Sequence, residues 1–443
     1  MSNSFDRTLL FLGIAWVRTL CGLFIATTSI SIPVLAHNVD SSLGTTSWMF
    51  TCRIFGAFVG GVLGSTFAKK ANPNKLFAAA TFVAAVALYW TPSITSLTVL
   101  LIVSFLFGVI HGLIDSIGQM IILNHALNPG RYILGFHALF TFGSILGALL
   151  IRIFLDPTLE QPCPNDPRHY QKLILLPDVL NSFQYAFILP AYALFAAVLM
   201  QLLQVCLNTY EKVDIPKTSM SNSSIVNEPI KPSNVFLSFY IITLFFAATS
   251  YQVTFSFLHP FTRCDHFLQV SSEESATNVI WYWLANMLGR FFVMYLLQKN
   301  YNVRTIFTCV SSLLVVIQLF LEFAPLSAYV FMALEDVCGF LLSGVIPLCI
   351  VYASSIFDLC DGYMWTIYVG CNLLCMFNPV GIGFWMTIDT RGFVHALLIS
   401  CCSLFVFQQL MFCSAKTVKT PHAQSSSSSM SLKAASSALS IKI

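Results

Sequence analysis

The chain has 443 residues, of which 57% are hydrophobic and only 9% charged, with a formal net charge of +3. A soluble domain carries roughly 25% charged residues, so a water-soluble globular protein is excluded and lipid must cover part of the apolar surface. The small positive charge reads as a membrane-topology signal, and no nucleic-acid partner is expected.

A helix that crosses a bilayer needs about 20 mostly apolar residues. Twelve such runs follow one another at 8–34, 47–68, 76–92, 97–124, 132–155, 181–208, 234–258, 275–297, 303–322, 326–356, 362–386 and 390–413. They are called spans 1 to 12 below. Span 1 is about twice the length of a signal-peptide core, and no clean small-residue cleavage site follows it, so it is expected to be retained. A loop from Asp156 to Asp178 separates spans 5 and 6. Between spans 6 and 7, Pro216, Pro229 and Pro232 stand among clustered serines, which argues for a flexible linker. The run of serines from Ser425 to Ser429 marks a disordered tail. The expected fold class is therefore all-α integral membrane, with twelve transmembrane helices in two six-helix halves. Its expected parts are an N-terminal half at 1–208, a cytoplasmic linker at 209–233, a C-terminal half at 234–413 and a disordered cytoplasmic tail at 414–443.

Basic residues set the orientation. With the N-terminus in the cytoplasm, fourteen Lys and Arg fall on the inner side and five on the outer. The opposite orientation inverts that bias, so both termini are expected in the cytoplasm. The long spans 1 and 4 suit a thick bilayer such as the plasma membrane. The fourteen cysteines form no zinc pattern. Only Cys163 and Cys264 fall in external loops, and sequence leaves their pairing open. The sequon at Asn222 lies on the cytoplasmic side and is expected to stay unglycosylated.

Polar residues inside spans are costly and must face protein or water. Positions three and four apart share a helix face. In span 4 that rule puts Ser104, Gly108, His111, Gly112, Asp115 and Gln119 on one stripe. Span 1 aligns Arg18 with Gly22 and Ser29, and span 5 aligns His137 with Thr141 and Ser144. Span 8 aligns Asn278, Tyr282, Asn286 and Gly289, with Arg290 at the edge. Span 10 carries Glu335 and Asp336, and span 11 carries Trp365, Tyr368 and Asn372. Arg18 and Asp115 lie at matching depth in spans 1 and 4, which predicts an ion pair that substrate or a cation can break. His111 reads equally as a proton site or a neutral core histidine. Arg53 and Arg290 read as structural or gating groups, or as ligand contacts. Trp365, Tyr368, Asn372, Gln252 and Gln119 form the set a sugar would use, an aromatic face under the ring and amides at the hydroxyls. In a chain that is 14% aromatic, such a stripe is more often packing. The candidate binding or coupling residues are thus Asp115, Gln119, His111, Arg18, Gln252, Asn286, Asn372, Trp365 and Tyr368, with Glu335, Asp336 and His137 second.

Several stretches carry a resemblance. They are IPVLAHNVD (Ile32 to Asp40), CRIFGAFVGGVLG (Cys52 to Gly64), FGVIHGLIDSIGQ (Phe107 to Gln119), GFHALFTFGSILGALL (Gly135 to Leu150), YQVTF (Tyr251 to Phe255), SGVIPLCIVYAS (Ser343 to Ser354) and NPVGIG (Asn378 to Gly383). The chain resembles the branch of the major facilitator superfamily that holds the sodium-dependent glucose transporters and is similar to the fucose permeases. The resemblance implies a site near the bilayer midplane, with spans 1, 4, 7 and 10 lining it and spans 3, 6, 9 and 12 facing lipid. It assigns Asp115 to substrate and proton handling. It departs from the family at Val34 and Gln252, where acids are common, and in the loop FAKKANPNK, which keeps lysines but lacks an acid.

The expected function is secondary transport of a small polar solute, with a hexose as candidate and sodium or protons as candidate coupling ions. An uncoupled facilitator and a non-transporting receptor or scaffold are the alternatives. No enzyme constellation, metal site or cofactor is expected, and the working unit is expected to be a monomer in contact with lipid.

Overall fold

The computed structural model describes residues 2–67, 73–125, 129–154, 177–206, 232–265, 267–268, 270–324, 326–357, 363 and 365–415. Most of the linker, the loop with Cys163, the tail beyond 415, Lys69, Lys70 and Asn222 lie outside these residues.

The apolar runs become helices because a backbone in lipid finds no water and must close its own hydrogen bonds. Span 1 is Ser2–Ile30 continued by Ile32–Asn38, span 2 is Trp48–Phe67 and span 3 is Pro73–Trp90. Span 4 is Leu97–His125, span 5 Pro129–Phe154 and span 6 Pro177–Cys206. In the second half, span 7 is Asn234–Cys264, span 8 Ser272–Gln298 and span 9 Val303–Phe323. Span 10 is broken into Ala328–Leu342 and Val345–Ser354. Span 11 runs from Trp365–Tyr368 through a widened π turn at Val369–Leu373 to Asn378–Ile388, and span 12 is Gly392–Ala415. Among the described residues, ten of the twelve are long and apolar enough to cross a bilayer, and the shorter apolar helices Ala78–Ser93 and Phe183–Leu199 complete spans 3 and 6.

Helix starts follow the capping residues. Ser233 Oγ accepts from the Phe236 amide, and Ser271 with Glu274 forms a capping box at the head of span 8. Span 7 continues to Cys264 rather than ending near 258. The polar residues there read as a loop because their partner lies on another helix. Ser275 of span 8 sits 2.8 Å from His259 Nδ1 and 2.6 Å from Thr262 Oγ1. Cys264 is disulfide-bonded.

In the first half, span 2 packs on 4, 1 on 5 and 3 on 6; in the second, span 12 lies against 7 and 9, and 8 against 10. The halves meet where span 5 crosses 8 and span 2 crosses 11. Within the first half, small residues four apart let backbones touch. Gly56 and Gly60 of span 2 face the Phe105 and Val109 carbonyls, while Gly108 and Gly112 of span 4 face those of Arg53 and Ala57. A side chain at any of the four would overlap backbone. Gly112→Leu is therefore expected to lose monodisperse protein on size exclusion, at a cost of about 3 kcal/mol or more. Gly381→Ala, which meets open space, should change nothing in the same assay.

The outer surface is apolar where lipid lies. Phe82, Val86 and Tyr89 of span 3 and Ile153, Leu199 and Val316 elsewhere are all exposed. An apolar groove of 560 Å³ between spans 9 and 10, lined by Val316, Phe320, Phe323 and Leu334 among others, belongs to this surface. At one end of the molecule Arg152 of span 5 meets Glu273 of span 8 at 3.1 Å, an exposed tie between the halves. Such a pair contributes about 0–1 kcal/mol.

Candidate functional site

The stripe of span 4 faces Arg18, which is buried in span 1. Arg18 Nη2 lies 2.8 Å from Asp115 Oδ1, so the pairing expected from matched depth is present. The same guanidinium donates from Nη1 to His111 Nε2 at 3.1 Å and from Nη2 to His137 Nδ1 at 3.4 Å. A guanidinium can only donate, so both ring nitrogens accept and both histidines are neutral. Gln119 Nε2 donates to Asp115 Oδ2 at 2.9 Å. Five of the sequence-derived candidates therefore form one cluster, contributed by spans 1, 4 and 5.

Two residues of this cluster carry no polar signal in the sequence. Phe136 and Phe140 place their rings 4.5 and 4.7 Å from the Arg18 guanidinium carbon. Such faces stabilise a cation kept from water. Their only mark in the sequence is that they flank His137 one turn apart. Trp283 of span 8 meets Phe140 edge-on at 6.3 Å, which brings the second half to the same place.

Arg290 ties the halves directly. Its Nη1 donates to the His137 carbonyl of span 5. Its Nη2 donates to Tyr251 Oη of span 7 at 3.2 Å, and its Nε to the Ser343 carbonyl at 3.3 Å. The last bond satisfies a carbonyl beside the break in span 10. Asn286 is spent in a similar way. Its Nδ2 donates to the Gly339 carbonyl at 3.0 Å, and its Oδ1 accepts from Thr141 Oγ1 at 3.2 Å.

Arg53 of span 2 is buried with one partner, Thr28 Oγ1 at 3.0 Å. Its guanidinium lies over Phe50 at 4.9 Å and over Phe255 of the opposite half at 5.6 Å. Gln252 Nε2 donates to the Cys371 carbonyl at 2.9 Å, holding span 7 to span 11. Tyr368 is buried against Gly61 of span 2, and its hydroxyl comes within electrostatic reach of Asp115 and Arg18.

The remaining candidates lie apart from this set. Trp365 is 42% exposed at the first turn of span 11, so it and the buried Tyr368 do not make one open platform. Asn372 is half-buried in the π turn. Glu335 is fully buried. It interacts with Gln318 of span 9 and with Asp336, not with the arginines between the halves. Among the described residues no group of three His, Cys, Asp or Glu could hold a metal ion.

Comparison with known proteins completes the picture. Two curated relatives are the sodium-dependent glucose transporters 1 of Homo sapiens and Xenopus laevis. The first is 28% identical over 138 residues, covering 31% of this chain and 27% of that protein. The second is 29% identical over 123 residues, covering 28% and 25%. The chain thus matches only about a quarter of the length of these relatives. Among solved structures, the E. coli fucose:proton symporter superposes with a TM-score of 0.61 at 13% identity, over 92% of this chain and 99% of that one. A nucleoside transporter superposes at 0.57 and 11% identity, over 92% and 98%. These two likenesses concern the fold alone. The sequence pattern of the Major Facilitator Superfamily matches residues 14–379, from span 1 into span 11. On that match and this twelve-helix fold, the chain belongs to the Major Facilitator Superfamily of membrane transporters.

Proposed function

We propose that the chain is a secondary carrier that moves a small polar solute, with a monosaccharide as the leading class, by alternating access of its two halves and coupled to sodium or protons. The observation that carries this reading is the 2.8 Å pair of Arg18 and Asp115, buried beside two histidines that take hydrogen bonds from the same guanidinium. A buried charge pair is weak as a stabilising device, and its best-attested uses are switches and registry. A proton or sodium ion on Asp115 would release Arg18 to a solute, and loss of the cation would restore the pair. Cation and solute occupancy are then linked, which is what coupling requires. Arg290 and Tyr368 relate this switch to the second half. The names of the relatives, transporters of glucose, fucose and nucleosides, support a hydroxylated solute.

The basic-residue bias supports cytoplasmic termini, and the long spans 1 and 4 support residence in the plasma membrane. A monomer suffices, because both halves of the cluster come from one chain. An uncoupled facilitator is the second reading. Val34 and Gln252 favour it, standing where relatives often carry acids.

The test is uptake of monosaccharides, neutral and acidic, into proteoliposomes under an imposed sodium or pH gradient, with wild type compared with Asp115→Asn. Gradient-driven accumulation is expected in the wild type. The variant should fall roughly a hundredfold in initial rate, as for about 3 kcal/mol of lost charge-assisted contact. Uptake that equilibrates and ignores both gradients would select the facilitator. Folded protein that moves no solute in a broad screen would leave a receptor.

A further inference from the structure

We infer that the solute is a hydroxylated organic anion, a sugar acid rather than a neutral sugar, and that Arg53 with Arg18 receives its negative group. This inference rests on the carrier reading and narrows its substrate class.

Among the described residues the charges between the halves do not balance. Arg18, Arg53 and Arg290 are all buried there, at 3, 4 and 4% exposure. A guanidinium keeps its charge and cannot shed a proton to escape burial. Asp115 answers one of the three. His111 and His137 add no negative charge. Glu335 stands beside Gln318 and Asp336, and the groups that act on Arg290 are Tyr251, Tyr282 and the like-charged Arg18, none of them a carboxylate. Arg290 at least finishes its fork on two carbonyls and a phenol. Arg53 has a single hydroxyl and two aromatic faces. Buried charges are ordinarily paired, so a missing anion is the simplest occupant of this place.

The unfilled hydrogen bonds point the same way. Arg53 Nη2, Arg18 Nε and His137 Nε2 are buried without a partner. With His137 Nδ1 accepting from Arg18, its Nε2 carries the proton, so all three are donors that want an acceptor. A carboxylate or phosphate offers several acceptor oxygens, and guanidinium binds them with matching geometry. Two further buried side-chain atoms without a partner are acceptors, Gln119 Oε1 and Gln252 Oε1. They suit the hydroxyl groups of the same solute. The rings of Phe50, Phe255, Phe136 and Phe140 around the two arginines suit a carbon frame and not a bare inorganic ion. Neutralising Asp115 with a cation leaves Arg18 unanswered and raises the demand for an anion, so solute and coupling cation would enter as a neutral pair.

Matched probes on the purified full chain in lipid nanodiscs test this, read as thermal stabilisation against concentration. The pairs are glucose with glucuronate, glycerol with glycerate, and uridine with uridine monophosphate; inorganic phosphate is added alone. At least one organic anion is expected to bind about tenfold or more tighter than its neutral twin and than phosphate. Arg53→Gln, which removes the buried charge but keeps a shorter amide donor, should erase that preference without lowering the unliganded melting temperature. The inference is overturned by a neutral twin that binds as well as its anion, by no anion binding across the panel, by phosphate binding as well as the best organic anion, or by a preference that survives in Arg53→Gln. Failure of the carrier reading looks different. In that case organic anions bind, with the Arg53 dependence, but proteoliposomes take none of them up.

Discussion

Arg18→Met is expected to destabilise the protein by roughly 3–5 kcal/mol, because it strands the Asp115 carboxylate in the interior without its counter-charge. It also leaves His111 Nε2 and His137 Nδ1 without the donor that both now use. The double variant Arg18→Met, Asp115→Leu removes both charges together and replaces them with apolar groups. Such replacements of buried pairs are often neutral or better, so the double variant should melt well above the single one, short of the wild type only by the hydrogen bonds that His111, His137 and Gln119 lose. Uptake should be absent from both. Thermal unfolding in nanodiscs, read as a double-mutant cycle, checks the first statement and proteoliposome uptake the second. A single variant as stable as the double would mean that Arg18 and Asp115 are not an energetic unit. Uptake retained in the double would remove the pair from the transport cycle.

The second large effect is expected at Arg290. This side chain holds a carbonyl of span 5, a phenol of span 7 and a carbonyl beside the break in span 10. Arg290→Leu removes three hydrogen bonds from a charged donor and is expected to cost about 3 kcal/mol or more. Much of that loss falls on the contact between halves. Distances between spin labels at the exposed positions 142 of span 5 and 288 of span 8 should therefore broaden, and uptake should fall about a hundredfold. Arg290→Lys should rescue neither reading, since a single ammonium on a flexible stem cannot reach three acceptors held by a planar fork. An unchanged distance distribution in Arg290→Leu would show that spans 5 and 8 hold together without it.

How far such features could be read beforehand differs by kind. The twelve spans were legible because lipid forces apolar runs into helices and leaves few alternatives. The face of span 4 was legible because a polar stripe in hydrocarbon must look at protein. Matched depth then singled out Arg18 for Asp115. Stripes describe one helix at a time, however, and say nothing about how neighbours are rotated. Asn286 looked as free as Gln119, yet its amide is consumed by Gly339 and Thr141. Trp365 and Tyr368 shared a spacing, yet one lies exposed and the other packs on Gly61. Phe136 and Phe140 were invisible because aromatic packing on a cation leaves no mark in an apolar run. The extension of span 7 was hidden for a related reason, since His259 and Thr262 are satisfied by Ser275, thirteen or more residues away.

The breaks in spans 10 and 11 are not matched in the corresponding spans of the first half, where span 1 alone is interrupted, near its end at Ser31, among the described residues. Spans 4 and 5, their counterparts by position, run unbroken as Leu97–His125 and Pro129–Phe154. Span 4 is also locked to span 2 by facing glycines. The π turn and the interruption at 343–344 lack a full ladder of helical bonds, and such places yield first under load. One half is therefore built as an anvil and the other as a spring. Solute would register against fixed groups on Arg18, Asp115 and Arg53, while the strain of each cycle would be absorbed on the far side of the site, by bending within single helices rather than by two equal bodies rocking past each other.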